Sequence, residues 1–129
     1  MKKVIFLLFL SVSISCSSDA LQKEDPDLNG EWSLLHISCF CGFDDSIDLS
    51  GYTIRFEASK KLVHITNPTE DYIKIAASGT YKYELQGNII KIESVEPYRY
   101  EIKDAELILT YIDDPAIADD ELEFTYQRN

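Results

Sequence analysis

Apolar and polar side chains trade places one by one along much of this chain, and that rhythm limits the possible folds more than any other feature. Tyr52, Ile54 and Phe56 alternate with Thr53, Arg55 and Glu57, and Tyr81, Tyr83 and Leu85 with Thr80, Lys82 and Glu84. Tyr98, Tyr100 and Ile102 alternate with Arg99, Glu101 and Lys103, and Leu122, Phe124 and Tyr126 with Glu123 and Thr125. A period of two sends successive side chains to opposite faces of a strand, one towards a core and one towards water. Segments 31–37, 61–66, 88–93 and 105–111 add four more strands, and no segment after residue 28 carries a sustained helical period, although 71–77 has room for a turn or two. Short joins at 58–60, 86–88 and 103–104 are tight-turn material. Consecutive antiparallel strands joined in this way make a meander, and eight of them can close on themselves and leave no open edge. The expected fold is all-β, an eight-stranded antiparallel up-and-down β-barrel over residues 28–129. Three joins are longer, at 38–50, 67–77 and 112–120.

The chain opens Met1-Lys2-Lys3 and then runs apolar from Val4 to Ile14, the charged and apolar regions of a secretory signal. The run is shorter than the about 20 residues that a permanent membrane helix requires, so cleavage is expected. Val12-Ser13-Ile14-Ser15 followed by Cys16 resembles the lipobox of bacterial lipoproteins. The resemblance implies that residues 1–15 are removed and that Cys16 becomes the N-terminus, bearing a thioether-linked diacylglycerol and an amide-linked acyl chain. Several acyl chains, at about 0.8 kcal/mol per buried CH₂, hold a protein to a membrane where one does not. Ser17 in place of aspartate resembles the outer-membrane signal of enterobacteria, which implies a lipid-anchored envelope protein of the outer membrane. Segment 16–27 is polar and charged, a tether whose about 11 flexible residues span roughly 18 Å.

Loss of the signal removes Lys2 and Lys3 and leaves ten basic against 23 acidic side chains, a net charge of −13. Such a chain repels nucleic acid and anionic lipid, and any charged partner is expected to be basic. Acidic faces also keep an anchored domain soluble.

Asn29-Gly30-Glu31-Trp32 carries the Gly-x-Trp of the lipocalins and their small bacterial relatives. With Gly51-Tyr-Thr-Ile-Arg-Phe, Ser78-Gly-Thr-Tyr-Lys-Tyr, the eight strands and the closing Phe124-Thr-Tyr-Gln-Arg128, the chain from about Leu28 to Arg128 resembles the lipocalin-like lipoproteins of Bacteroidota, small calycin-type barrels. The resemblance implies that Trp32 plugs one end of the barrel and that Arg128 packs across it, a structural pair. Ser38-Cys39-Phe40-Cys41-Gly42 departs from the glycine-rich loop of those relatives.

Beyond the inner membrane the envelope is oxidising. Cys39 and Cys41 are alternate residues whose sulfurs can meet with strain, so a Cys39–Cys41 disulfide stands beside reduced thiols and bridging to another chain. Zinc normally uses wider ligand spacing than this pair with His36 or His64 offers, so no metal site is expected. Asp44, Asp45 and Asp48 in one loop, and Asp113, Asp114, Asp119, Asp120 and Glu121 in another, lack the ligand spacing and turn glycine of a calcium loop and read as solvated charge. His36 shares the parity of Trp32 and Leu34, and His64 alternates with Val63 and Ile65, so both read as wall residues. No nucleophile elbow, zinc-protease helix or phosphate-cradling loop is present, and neither an enzyme nor a cofactor is expected.

Rings crowd the inward parity, and a barrel of eight strands is just wide enough to be filled by side chains or to hold one small ligand. Tyr52, Phe56, Tyr81, Tyr83, Tyr98 and Tyr100 are the candidate pocket for a small apolar or aromatic ligand, with the 38–50 loop at its entrance. The alternative is an acidic module that binds or inhibits a basic envelope protein, or a structural envelope lipoprotein. Ser78-Gly79 followed by Tyr81 is similar to the motif of acidic barrel lipoproteins that inhibit lysozyme.

Overall fold

A computed structural model describes residues 28–39, 46–70, 74–112 and 122–129. The signal segment 1–15, the tether 16–27 with Cys16, and Cys41 lie outside the described residues, as do Asp44, Asp45, Asp113, Asp114, Asp119, Asp120 and Glu121.

The alternating segments form eight strands: β1 (Gly30–Ser38), β2 (Thr53–Glu57), β3 (Leu62–Thr66), β4 (Gly79–Gln86), β5 (Ile89–Ile92), β6 (Tyr98–Lys103), β7 (Glu106–Tyr111) and β8 (Glu123–Arg128). Each pairs antiparallel with the next, and β8 returns to β1, closing an up-and-down barrel. Closure satisfies the backbone groups that an edge strand would leave unpaired. The period-two pattern is the burial pattern: Ile54 and Phe56, Val63 and Ile65, Leu107 and Leu109, and Phe124 and Tyr126 are buried, while the residues between them are not. Fully burying one such side chain contributes about 1.5–3 kcal/mol, so the inner face outweighs weak local propensities in selecting strands.

One strand breaks the rhythm. Between Leu34 and His36 the β1–β8 register slips. The extra residue of a bulge shifts side-chain parity, so Ile37 is buried while Leu35 and His36 face outwards. The expectation that His36 shares the inner face of Trp32 and Leu34 is corrected by this slip.

In an up-and-down barrel the joins alternate between the two ends. The β2–β3, β4–β5 and β6–β7 joins share one end with Gly30 and Arg128. They are tight: a single 3-10 turn at Ala58–Lys60 followed by Lys61 at φ 53°, a turn with Gly87 at φ 60°, and Asp104-Ala105 at φ 50° and 65°. Two successive positive φ values between Lys103 and Glu106, which pair directly, make a type I′ hairpin turn that matches strand twist. The β1–β2, β3–β4, β5–β6 and β7–β8 joins share the other end, so all three long joins fall together. We call the two the plug end and the loop end.

The plug end is built around Trp32, which is fully buried. Its indole Nε1 donates to the Leu28 carbonyl at 3.0 Å. Arg128 lies over the ring with Cζ 4.1 Å from the centroid and donates from Nη1 to the Asn29 carbonyl at 3.0 Å. Asn29 Oδ1 in turn accepts from the Ala58 amide at 3.0 Å, which ties the chain entry to the β2–β3 turn.

Candidate functional site

The register sorts the inward rings into separate groups. Phe56 and Tyr83 meet edge to face, with centroids 5.2 Å apart and planes at 83°. Both are buried, and Lys61 Nζ stands 5.9 Å from the Tyr83 ring.

Tyr52 and Tyr81 serve the β3–β4 join instead. The Tyr52 hydroxyl pairs with Thr69 Oγ1 at 2.9 Å, and the Tyr81 hydroxyl donates to the Ala77 carbonyl at 2.9 Å. The neck of this join is held by Asn67, whose amide donates to Ser78 Oγ and whose Nδ2 donates to the Ala76 carbonyl. Lys74 bridges Glu70 at 2.5 Å and holds that carboxyl below its ordinary range. Ile75 is buried in the core cluster, so the join folds inwards over part of the loop end.

The third group lines the β6–β7–β8 wall. Tyr98 pairs across strands with Tyr111, their rings 5.7 Å apart at 68°, and also meets Phe124 at 6.1 Å and 62°. Tyr126 is two residues deeper along β8 from Phe124 and is buried beside them. Burial, with the Tyr111 hydroxyl nearby, pushes the Tyr98 phenol up to about 12. Tyr126 is raised by burial first and by Tyr98 second. Tyr100 is half-buried against the core on the same strand as Tyr98.

The rings of the candidate set of Tyr52, Phe56, Tyr81, Tyr83, Tyr98 and Tyr100 therefore fall into separate contact groups. Tyr111, Phe124 and Tyr126 belong with Tyr98, whereas Phe56 and Tyr83 form a packed pair of their own. The signal that would have joined them was available in the Asp104-Ala105 turn: pairing Lys103 with Glu106 and counting back places Tyr98 opposite Tyr111.

Among the described residues no charged or other non-hydrophobic side chain is buried. The interior is thus apolar apart from phenol hydroxyls and the indole N–H, and an ion placed there would lack a counter-charge.

The outer wall carries a different cluster. Glu57, His64 and Thr80 form a row across β2, β3 and β4: His64 Nε2 is 2.8 Å from Glu57 Oε1, and Nδ1 is 2.8 Å from Thr80 Oγ1. An ionised carboxylate only accepts, so in the neutral ring Nε2–H donates to Glu57 and Nδ1 accepts from the Thr80 hydroxyl. Lys60 and Arg55 also reach Glu57, at 2.7 Å and 3.2 Å. The row staples three strands on the solvent side.

Cys39, just past β1 at the loop end, is disulfide-bonded. Among the described residues no group of three or more histidine, cysteine or carboxylate side chains is placed to hold a metal ion. No protein-family model matches this chain, and no curated protein matches it.

Proposed function

We propose that this chain is a lipid-anchored protein of the cell envelope, in the outer membrane, that binds one small neutral apolar or aromatic ligand through the loop end of its barrel. The observation that carries the binding part is the β6–β8 wall, where three phenols and Phe124 gather in an interior without buried charge. The anchor part rests on the signal-like residues 1–15 and Cys16 alone. Native mass spectrometry of the protein taken from its own envelope tests the binding part. A retained small molecule, released on unfolding, is the expected result, and a spectrum of apoprotein alone under conditions that preserve the fold opposes it.

Charge favours a second reading, in which the barrel binds a basic protein. The joins at the loop end contain Asp44, Asp45, Asp48, Glu70, Asp71, Glu93, Glu96, Asp113, Asp114, Asp119, Asp120 and Glu121, against Lys74 as their one basic residue. Capture of a basic envelope protein that weakens with salt and disappears when Asp113, Asp114, Asp119 and Asp120 are neutralised supports this reading. Capture that is unchanged by those substitutions removes it.

A further inference from the structure

The point at which the chain enters the barrel is fixed. Leu28 is fully buried, and its carbonyl accepts from the Trp32 indole at 3.0 Å. Asn29 is held twice, its carbonyl by Arg128 and its Oδ1 by the Ala58 amide. Residues 16–27 therefore join the domain at the plug end, and the long joins leave from the opposite end.

The distance between the two ends can be set against the length of the tether. Strands β6, β7 and β8 have six residues each. At about 3.3 Å per residue and a tilt of 35–45°, such strands hold the two ends roughly 15 Å apart along the barrel axis. The tether of about 11 flexible residues has an average reach of roughly 18 Å. Anchored at Cys16, it meets the plug end directly. To bring the loop end to the lipid, the same tether must run back along the barrel wall and use nearly all of that reach.

Charge acts in the same direction. The plug-end joins 58–61, 87–88 and 104–105 carry Lys60 and Lys61 against Asp104, whereas the loop-end joins carry twelve acidic side chains against Lys74. An axial separation of roughly 15 Å is about two Debye lengths at physiological salt. With the plug end towards an anionic surface the acidic joins are screened from it, and with the loop end towards it they are repelled. We infer that the plug end is the membrane-facing end of the anchored protein and that the loop end, with all the long joins, opens to water. This rests on the lipid anchor at Cys16 proposed above and adds its orientation. A ligand or a basic partner then reaches the long joins from the aqueous side and not from the bilayer that holds the anchor.

The lipidated protein, purified from its own membrane and placed in phosphatidylethanolamine–phosphatidylglycerol nanodiscs with a few gadolinium-chelate headgroups, tests the orientation by amide NMR. Paramagnetic relaxation falls with the sixth power of distance, so it is expected to be at least about tenfold stronger at Lys61, Asn88 and Asp104 of the plug end than at Ser50, Ser94 and Val95 of the loop end. In phosphatidylcholine discs, which carry no net charge, the plug end is expected to lead by a smaller factor. Equal relaxation at the two ends, or stronger relaxation at the loop end, overturns the orientation, while lipid found on Cys16 by mass spectrometry leaves the anchor reading standing. A Cys16 without lipid removes the anchor and the orientation together.

Discussion

The guanidinium of Arg128 lies over the indole of Trp32, with Cζ 4.1 Å from the ring centroid, and the two residues pair directly across β1 and β8 at the seam where the barrel closes. The last turn of sequence thereby caps the first, and the β1–β8 seam is fastened by a contact that forms only when the barrel is complete. Asn129 reinforces it, its amide donating to the Glu31 carbonyl at 3.1 Å and its Nδ2 to Glu31 Oε1 at 2.7 Å.

Replacement of Arg128 by alanine removes the cation over the ring and the hydrogen bond to the Asn29 carbonyl. A loss of about 1–2 kcal/mol is expected, and lysine recovers only part of it, because the flat fork is what fits both partners. Trp32 is the single tryptophan of the chain, so its fluorescence during denaturant unfolding reports the change without interference. Unaltered stability in Arg128→Ala would mean that the stacking contributes nothing to closure.

Ala105 offers the opposite sign. Its φ of 65° is in the left-handed region that the second place of a type I′ turn demands and that an L side chain resists. Relief of about 1–2 kcal/mol of strain, offset in part by the greater freedom of glycine in the unfolded chain, makes Ala105→Gly a net gain of roughly 0.5–1 kcal/mol. A raised denaturation midpoint with an unchanged slope is the expected observation. A lowered midpoint would place the strain elsewhere.

Strand order and closure were legible because the inner face announces itself at every second residue from Tyr52 to Tyr126, and the turns between those runs are short. The bulge in β1 was not, since Leu34-Leu35-His36-Ile37 offers an apolar residue on both parities and only the pairing with β8 decides which face each takes. The ring grouping was half legible. Parity put Tyr52, Tyr81, Tyr98 and Phe56 on one inner face, but parity carries no height along the barrel axis. Height comes from register, which Asp104-Ala105 fixes for Tyr98 and Tyr111 and which the inward-folded β3–β4 join fixes for Tyr52 and Tyr81. The Glu57–His64–Thr80 row was hidden for the same reason: pairing sets Thr80 opposite His64, and Glu57 reaches His64 diagonally from beside its direct partner Arg55.

That row predicts a particular acid sensitivity. Lys60, then His64, hold the Glu57 carboxyl below its ordinary value through hydrogen bonds. A carboxyl lowered in the folded state favours folding at any pH above the unfolded value of 4.5, and that contribution disappears as pH falls through the folded value. Thermal melts from neutral pH down through the carboxylate range should therefore show a steeper decline for the native chain than for Glu57→Gln. Parallel declines would show that the row is too well solvated to matter.

The buried phenols make the matching prediction at the alkaline end, and here the sign is reversed. Tyr98 holds its proton to about 12 in the fold against 10.0 for an ordinary tyrosine. Below pH 10 both states are protonated and nothing is gained or lost. Between about 10 and about 12 the unfolded chain gives up the proton while the fold retains it, so stability falls by roughly 2–3 kcal/mol over that interval. Tyr126, raised in the same direction by burial and by Tyr98, steepens the fall. Phenolate absorbance should accordingly appear late and together with loss of the fold, as a cooperative step instead of a series of independent titrations. The Tyr98→Phe, Tyr126→Phe variant has neither proton to lose at these positions, and its stability should decline less over the same interval. If the two proteins lose stability in parallel, Tyr98 and Tyr126 ionise freely in the fold, and their burial does not protect the phenol protons.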